Sequence, residues 1–388
     1  MNKRYLLTPG PTPVPEEVLL AMAKPIIHHR AADFIPLFEE VRKGLKWLYQ
    51  TKEEVLIFAS SGTGAMEAAV TNTLCKGDHA LVVRGGKFGE RWAEICKAYG
   101  VKTTNIDVTW GEAVDPNQIR EALKRSPDIK AVFVQASETS TGASHPIKEI
   151  SEITRNTDIL LVVDAITALG VVDLPMDLWG LDVVVTGSQK ALMLPPGLAF
   201  IALSEKAWKA AEKSDLPKFY FNVKKEKKNH LTNQTAYTPA VSLVIGLQKS
   251  LQMMQKEGLP AIFERHDKLA RATRAGAQAI GLELYAPHSP SAAVTSVKSP
   301  AGLDAQEIVK RLKNHYHVTI AGGQGDAKGK IFRIAHLGYY DRFDIIVSLS
   351  ALEMALNDLG FSVELGRAVA AAEAEFMTQP AMAKAAVA

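Results

Sequence analysis

The sequence predicts an α/β fold in which helices cover both faces of a mostly parallel sheet, followed by a smaller C-terminal α+β domain. Apolar strand patterns and amphipathic helix patterns alternate between residues 54 and 185, which is typical of βαβ units. The alternation changes after residue 255, where helical patterns come first and strands follow later. Small and polar residues recur just after the apolar runs, at the strand ends where such sheets bind ligands.

Length and composition are those of an ordinary globular enzyme. The chain has 388 residues, 47% hydrophobic and 22% charged, and we expect an arm at 1–15, a large domain at 16–254 and a small domain at 255–388. The net charge of +3 is too small to favour nucleic acid or an anionic membrane as a partner. Cys75 and Cys96 are too few for a disulfide framework or a cysteine metal cluster. Without a signal-peptide pattern or a long apolar run, we expect a cytoplasmic protein.

The N-terminal stretch predicts an extended arm. The prolines of Leu6–Pro15 (LLTPGPTPVP) remove backbone donors, and the glycine interrupts any periodic pattern. A helix follows, since proline suits a first helical turn and the next two acidic residues favour the helix dipole. His28, His29 and Arg30 predict a turn, where histidines are more often structural or solvent-facing than catalytic. Phe34–Tyr49 then has the spacing of an amphipathic helix.

The large domain continues with the strand and helix alternation. The predicted strands are Glu54–Ala59, Ala80–Val83, Val101–Val108, Ile129–Gln135, Ile159–Val163 and Val183–Val185. The predicted helices are Ala65–Leu74, Phe88–Tyr99, Asp115–Lys124, Pro146–Arg155 and Val241–Met254. The lysine-rich stretch from Lys206 to His230 is predicted to be a solvated loop or edge.

The small domain is predicted to mix helices with short strands. Its predicted helices are Phe263–Ile280, Asp304–His315 and Asp344–Leu359, and its predicted strands are Ala293–Val297, Val318–Ala321 and Lys330–Ala335. The glycine-rich run Gly322–Gly325 lies between two strands, which favours a hairpin or loop over a phosphate site. The alanine-rich tail beyond Gly366 is predicted to be helical or frayed.

Lys190 is the leading candidate for a reactive residue. The stretch Leu181–Pro196 (LDVVVTGSQKALMLPP) begins as a buried strand, breaks into small polar residues, and places the lysine before a second apolar run. An ammonium ion there is poorly solvated, which lowers its pKa and makes the amine a nucleophile able to form a Schiff base. The alternative is a surface lysine whose stem covers a strand end.

Three further sites follow from the same strand-end logic. Ser61–Gly64 joins a strand to a helix, so its amides and hydroxyls can bind a phosphate, although the same glycines also suit a tight turn. Asp164 ends an apolar strand and needs a cationic partner, either a protonated cofactor ring nitrogen or an arginine. Arg333 lies in an apolar strand and needs an anion, for which a substrate carboxylate bound in a bidentate manner is suitable.

Several of these motifs together resemble the class V, fold-type I pyridoxal-phosphate aminotransferases, in particular the alanine/serine–glyoxylate branch. The resemblance rests on Ser61-Gly62-Thr63, on Asp164 and on GSQKALMLPPG at Gly187–Gly197. It extends over nearly the whole chain, from LTPGPTPVP through SETSTG at Ser137–Gly142 and VVDAITALG to FRIAHLG. The lysine motif with its upstream aspartate is specific for this group, whereas the glycine loops alone are not.

The resemblance implies a pyridoxal 5'-phosphate (PLP) cofactor and gives most of these residues a role. Lys190 would hold the cofactor as an internal aldimine and then act as general base and acid, and Asp164 would keep the pyridine nitrogen protonated. Phe88 would stack on the ring, where relatives often have tryptophan. Ile166 would pack on the opposite ring face, and Thr139 would bond the polar edge of the ring.

The resemblance also implies a phosphate site and a subunit arrangement. The phosphate would be bound by Ser61, Gly62, Thr63 and Gln189. In relatives, residues matching Gln234, Tyr237 and Thr238 complete this phosphate site from the neighbouring subunit, which implies a homodimer with shared active sites. Arg333 would bind the substrate α-carboxylate, with Gly10 of the arm lining the pocket.

The expected reaction is ping-pong transfer of an amino group from alanine or serine to glyoxylate. Thr63, where human-type relatives have histidine, and Ala191, where serine–glyoxylate relatives often have glycine, leave the donor open. Another class V transaminase, of the ureidoglycine–glyoxylate or phosphonate type, is one alternative. A cysteine desulfurase would need a cysteine in the C-terminal half, which the sequence lacks. A non-catalytic subunit of a soluble hydrogenase-type complex is the other alternative, although such a subunit would not require Lys190, Asp164 and Arg333.

Overall fold

The computed structural model of the protein describes residues 3–378. Its strands, numbered in chain order, are β1 (Tyr5–Leu6), β2 (Val55–Ser60), β3 (His79–Arg84), β4 (Lys102–Asp107), β5 (Ile129–Gln135), β6 (Ser137–Glu138), β7 (Ala143–Ser144), β8 (Leu160–Asp164), β9 (Val183–Gly187), β10 (Gly197–Leu203), β11 (Val294–Lys298), β12 (Val318–Thr319), β13 (Ala321–Gly322) and β14 (Ile331–Ala335).

The helices occupy most of the chain between these strands. They are α1 (Glu16–Met22), α2 (Phe34–Tyr49), α3 (Gly62–Thr73), α4 (Lys87–Ala98), α5 (Pro116–Arg125), α6 (Ile147–Thr154), α7 (Met176–Trp179), α8 (Glu205–Lys213), α9 (Val223–His230), α10 (Val241–Glu257), α11 (Leu259–Ala279), α12 (Ala305–His315), α13 (Arg342–Asp358) and α14 (Arg367–Met377). In this part of the chain no helix combines the length and the apolar character that a membrane crossing requires.

The central sheet has seven strands in the order β2-β10-β9-β8-β5-β3-β4. Only β10 runs antiparallel to its neighbours, so the predicted mostly parallel sheet is confirmed. Asp164 at the end of β8 pairs with Gln135 of β5 and with Val185 of β9. The carboxyl ends of three neighbouring strands therefore lie level with one another.

The apolar strands are unbroken in sequence because both faces of the sheet are covered. In β3, Leu81 and Val83 belong to the core that includes Phe34 and Phe38 of α2. Their neighbour Val82 belongs to the core on the other face, with residues of α3 and α4. Alternating residues of one strand thus fill two different cores, which is what a buried parallel sheet requires.

A third apolar core lies around a smaller sheet in the order β11-β14-β13. The arm reaches this region, since β1 pairs with β12 in parallel and Ala335 donates its N–H to the carbonyl of Leu7 at 3.0 Å. The arm is thus anchored at its beginning. Residue 255 lies inside α10, and α10 packs against α11, so the domain boundary there stays a prediction.

The prediction of a loop or edge from Lys206 to His230 was wrong, because most of this stretch forms α8 and α9. Ser204 caps α8 by accepting the N–H of Ala207, and Asn222 caps α9 by accepting the N–H of Lys225. Helix α8 buries Ala207 and Ala211, whereas α9 buries Val223 together with the polar residues Glu226 and His230. The prediction for Gly322–Gly325 was correct, since this run connects the antiparallel strands β13 and β14.

Other differences are smaller. The predicted strand Val318–Ala321 is divided into β12 and the start of β13, and β10 was not predicted. The tail forms α14, and residues 379–388 lie outside the described part of the chain.

Candidate active site

Lys190 lies beyond the end of β9, where its side chain is buried. Its Nζ donates to the carbonyl of Pro9 in the arm, and its own carbonyl accepts the hydroxyl of Thr12 at 3.0 Å. Burial lowers the pKa of Lys190 to about 8; nearby Asp164 opposes this shift, and Arg333 favours it. A substantial fraction of the amine is therefore neutral near pH 8, which a nucleophile or general base requires.

Gly10 leaves room for this lysine. A Cβ atom added to Gly10 would lie 2.7 Å from Cε of Lys190, and the residue has a φ of +137°. Any side chain at this position would both displace the lysine and strain the backbone. The structure thus places Gly10 beside Lys190, as expected for a residue that lines the pocket.

Asp164 is a buried carboxylate on the neighbouring strand. Its Oδ1 accepts the N–H of Ile166 at 2.9 Å. Burial raises the pKa of Asp164 to about 7, and the charge of Glu138 adds to this, while the Ile166 N–H and the charges of Arg91 and Lys190 oppose it. A carboxylate held this way gains by facing a protonated nitrogen.

The loop that begins at Ser61 is built to receive an anion. Ser61 is the N-cap of α3 but does not use its side chain to cap the helix. The amide of Gly64 donates to the carbonyl of Ser61 at 2.8 Å, and the positive end of the helix dipole lies at this loop. Gln189 has a buried Oε1 that finds no partner in residues 3–378, and its side chain lies near Gly62 of the same loop. These groups suit a phosphate.

Two apolar residues of the predicted site are connected to this loop. Ile166 contacts the loop so closely that a Cβ on Gly62 would lie 2.6 Å from its Cδ1. Phe88 lies in the first turn of α4, with the guanidinium of Arg91 4.8 Å from its ring centroid. Arg91 also donates to the hydroxyl of Thr63 at 3.2 Å. The sequence reasoning missed Arg91, although its spacing of three residues from Phe88 on a predicted helix was a usable signal.

Arg333 reaches the same region from the small sheet. Its Nη1 donates to the carbonyl of Thr139 at 2.9 Å, and its Nε and Nη2 donate to the carbonyl of Gly322 at 3.0 and 2.7 Å. These bonds use the N–H of Nε and one N–H of each terminal nitrogen. Each terminal nitrogen keeps one further N–H, and a carboxylate bound in a bidentate manner accepts two such donors. Burial lowers the pKa of Arg333 to about 10, and the charge of Glu138 opposes that shift.

Thr139 connects this arginine to the sheet. Its hydroxyl pairs with that of Thr167, a residue that the sequence reasoning also missed. Glu138, the residue before it, is fully buried and was missed as well, although it belongs to the SETSTG motif. Besides Ser140, its partners are the amides of Phe88 and Gly89, some fifty residues earlier in the chain, which no local pattern shows.

Three predicted site residues lie elsewhere in this chain. Gln234 accepts a hydrogen bond from Arg30, in the turn that contains His28 and His29, at 3.0 Å. Tyr237 donates to the carbonyl of Phe219 at 3.0 Å, and Thr238 lines a cavity beside it. Within residues 3–378, no hydrogen bond joins these three side chains to Lys190 or Asp164. One chain thus brings together the remaining predicted residues but not these.

A family model described as aminotransferase class-V matches residues 4–338. The chain is 46% identical over 364 residues to "Soluble hydrogenase, small subunit" of Synechococcus sp. strain PCC 6716, covering 93% of this chain and 95% of that protein. It is 36% identical to L-aspartate–glyoxylate aminotransferase of Paracoccus denitrificans, with 99% and 98% covered. It is 35% identical to serine–glyoxylate aminotransferase of Methylorubrum extorquens, with 98% and 97% covered.

A solved structure agrees with these sequence comparisons. Ureidoglycine–glyoxylate aminotransferase from Bacillus subtilis superposes with a TM-score of 0.92 at 29% identity, covering 97% of this chain and 99% of that one. The chain belongs to the class V aminotransferase family, and its fold is that of the fold-type I PLP enzymes. The family implies PLP as cofactor.

The burial of Lys190 predicts a pH-dependent stability in the PLP-free protein. In the folded protein its pKa of about 8 lies below the usual lysine value of 10.5. The charged lysine therefore destabilises the fold at pH 7, and this penalty disappears as the pH rises from 8 to 10.5. Lys190→Met should therefore raise the free energy of unfolding at pH 7, and its advantage should fall by about 2 kcal/mol between pH 7 and pH 10.

Urea unfolding at a series of pH values measures this difference. Lys313→Met, at an exposed position of α12, is the control and should show no such pH dependence. An advantage of Lys190→Met that stays constant with pH would contradict the lowered pKa.

Proposed function

We propose that this class V aminotransferase transfers the amino group of alanine or serine to glyoxylate by a ping-pong mechanism, with PLP as cofactor. The observation that carries the proposal is the buried Lys190 amine, with its lowered pKa, among Asp164, Arg333 and an anion-binding loop. The glyoxylate acceptor is supported by the names of the aspartate, serine and ureidoglycine relatives.

The residues present fit PLP. The N-terminus of α3 with Ser61, Thr63 and Gln189, whose buried Oε1 has no partner among the described residues, suits the phosphate, and the apolar side chains of Phe88 and Ile166 would pack on the two faces of a flat ring. When bound, PLP supplies an aromatic electron sink for the electrons released at the donor Cα. Asp164 would keep the ring nitrogen protonated, and Thr139 would bond the polar edge of the ring.

Lys190 moves the proton. Because burial brings the pKa of its amine to about 8, Nζ can accept the proton that the donor Cα loses and donate it to the other carbon of the 1,3-proton shift at a low energetic cost. The carbonyl of Pro9 gives the protonated amine a hydrogen-bond acceptor inside the site. The arm thereby keeps the free lysine close to the reacting atoms.

Arg333 explains how one site serves two substrates in turn. The amino acid and the 2-oxo acid share a carboxylate next to the reacting carbon, and the free N–H on each terminal nitrogen can bind it. A dicarboxylic donor would need a second cation. Arg91 is the nearby arginine, but it is bonded to Thr63 and lies over Phe88. Because Arg91 is engaged in these contacts, it is not free to bind a second carboxylate, which favours alanine or serine over aspartate as donor.

A homodimer with shared sites accounts for Gln234, Tyr237 and Thr238. These residues lie in a region where large apolar side chains are exposed: Ile26 is 69%, Leu231 61% and Phe219 77% exposed. Exposed apolar side chains of this size favour burial against another protein surface. A second copy placed there would bring the three polar side chains to its neighbour's phosphate site.

An absorbance titration tests the reaction. The purified protein with PLP should have a visible absorbance band that decreases on adding L-alanine or L-serine and returns on adding glyoxylate. Loss of the band with L-aspartate only would replace the proposed donor by an acidic one. Lys190→Ala is the control and should lose both the response and all turnover, because the amine is absent.

A protein that stays colourless with added PLP would contradict the proposal. That result would favour the non-catalytic subunit that the name of the Synechococcus relative suggests.

Arg333→Lys should weaken the binding of both substrates. Lysine carries the charge but not the planar fork, so the loss of one charge-assisted hydrogen bond should raise the KM for the donor and for glyoxylate about 10- to 100-fold. Steady-state kinetics with each substrate varied in turn measures this effect. Arg120→Lys, on the exposed helix α5, is the matched control and should change neither KM.

A complementation experiment tests the shared sites. Lys190→Ala and a triple variant with Gln234, Tyr237 and Thr238 replaced by alanine should each be inactive. If the subunits share sites, mixing and reassociating the two should restore about a quarter of the wild-type activity, because half of the dimers are hybrids with one intact site. No recovery in proven hybrid dimers would place each complete site within one chain.

A further inference from the structure

The N-terminus of α4 is capped by a loop from another part of the chain. Its N-cap residue, Gly86, has no side chain with which to cap the helix. The first three amides of α4 instead donate to two residues of the SETSTG loop: Lys87 to the hydroxyl of Ser140 at 3.0 Å, and Phe88 and Gly89 to the carboxylate of Glu138 at 3.2 and 3.0 Å.

Glu138 is fully buried, and its carboxylate is saturated with donors. Besides the two helix amides, it accepts the N–H of Ser140 at 3.2 Å and the hydroxyl of Ser140 at 2.5 Å. A Cβ on Gly86 would lie 2.6 Å from the carboxyl carbon of Glu138, so the glycine permits this close approach. The negative charge also faces the positive end of the α4 dipole. Although burial raises the pKa of Glu138, these four hydrogen bonds oppose that shift.

The two ends of this connection carry different parts of the proposed cofactor site. Phe88, on α4, is the residue proposed to stack on one face of the cofactor ring. Thr139, which follows Glu138, is the ring-edge residue, and its carbonyl accepts from Arg333 at 2.9 Å. No other described hydrogen bond of Phe88 reaches the loop, so Glu138 sets the distance between the stacking face and the ring edge.

We propose that Glu138 is a positioning residue whose carboxylate fixes Phe88 relative to Thr139 and so sets the affinity of the site for PLP. This inference rests on the proposed function, because it assumes that PLP occupies the site. It assigns Glu138 no contact with the cofactor or substrate. Its effect passes through α4.

The test compares Glu138→Gln with Glu353→Gln, a matched control elsewhere in the molecule. Glu353 is also a buried carboxylate, and it accepts the amides of Gly366 and Ala368 at 2.7 and 2.5 Å at the glycine-capped N-terminus of α14. An amide in either place keeps the shape but turns an NH₂ group toward N–H donors. Both variants should unfold at lower urea concentration.

Only Glu138→Gln should change PLP binding. Titration of the PLP-free proteins, followed by fluorescence quenching, should give a Kd for PLP raised about 10- to 100-fold in Glu138→Gln and by less than about twofold in Glu353→Gln. Equal Kd values for Glu138→Gln and the wild type would overturn this inference alone. A wild-type protein that binds no PLP would overturn both this inference and the proposed function.

A double-mutant cycle with Phe88→Ala tests whether the effect of Glu138 on PLP binding passes through Phe88. If Glu138 acts through Phe88, Glu138→Gln should raise the Kd for PLP far less in the Phe88→Ala background than in the wild type. The same factor in both backgrounds would overturn the inference. Should Glu138→Gln fail to fold, Ser140→Ala removes the cap of Lys87 and one donor to Glu138. It should then raise the Kd several-fold, and an unchanged Kd in that variant would overturn the inference.

Discussion

The burial of the Lys190 amine is the constraint on which the arrangement of the site depends. An ammonium group without solvent needs acceptors and neighbours that exclude water, and these come from distant parts of the chain. The arm supplies the carbonyl of Pro9 and the hydroxyl of Thr12. The small sheet supplies the loop at Gly338, where a Cβ would lie 3.1 Å from the carbonyl of Lys190. His266 accepts the N–H of Gly338 at 2.9 Å, so this loop is itself held in place. One buried amine thereby requires three segments to meet.

Charge balance explains why the site tolerates several ionisable groups without water. Lys190 and Arg333 are opposed by Asp164 and Glu138, and each of the four is buried. Burial moves the pKa of the lysine down to about 8 and that of Asp164 up to about 7. The pKa values of both groups are thus close to neutral pH, where a general base and a group that stabilises a bound proton work best. The same desolvation that costs folding free energy prepares the chemistry.

Whether the sequence could predict the place of a residue depends on whether its interactions are local or are made between distant parts of the chain. Lys190, Asp164 and Ser61 each follow an apolar strand, and the carboxyl ends of parallel strands meet at one edge, so periodicity was enough to group them. Glu138 could not be placed in this way, because its charge is balanced by amides of α4. Helices α8 and α9 were missed since charge dominates their composition, although Ser204 and Asn222 cap them, as N-cap residues do. Local sequence patterns predict strands and helix caps, whereas they do not predict contacts between residues that are distant in the sequence.

In the proposed function, a phosphate at the loop that begins at Ser61 would gain from groups that a second chain supplies. A phosphate group carries a charge of about −1.5 to −2, whereas a helix N-terminus contributes only about half a positive charge. Arg91 adds one full charge through its bond to Thr63, and the remaining groups, Ser61 and Gln189, are neutral. The oxygens of a bound phosphate would still accept further hydrogen bonds, which neutral donors can supply. Gln234 and Tyr237 lie among exposed apolar side chains instead of at this loop, an arrangement in which the folded chain keeps donors at a surface that a second copy can cover. The proposed dimer would thus do two things at once: add neutral hydrogen-bond donors for the phosphate oxygens and cover an apolar surface.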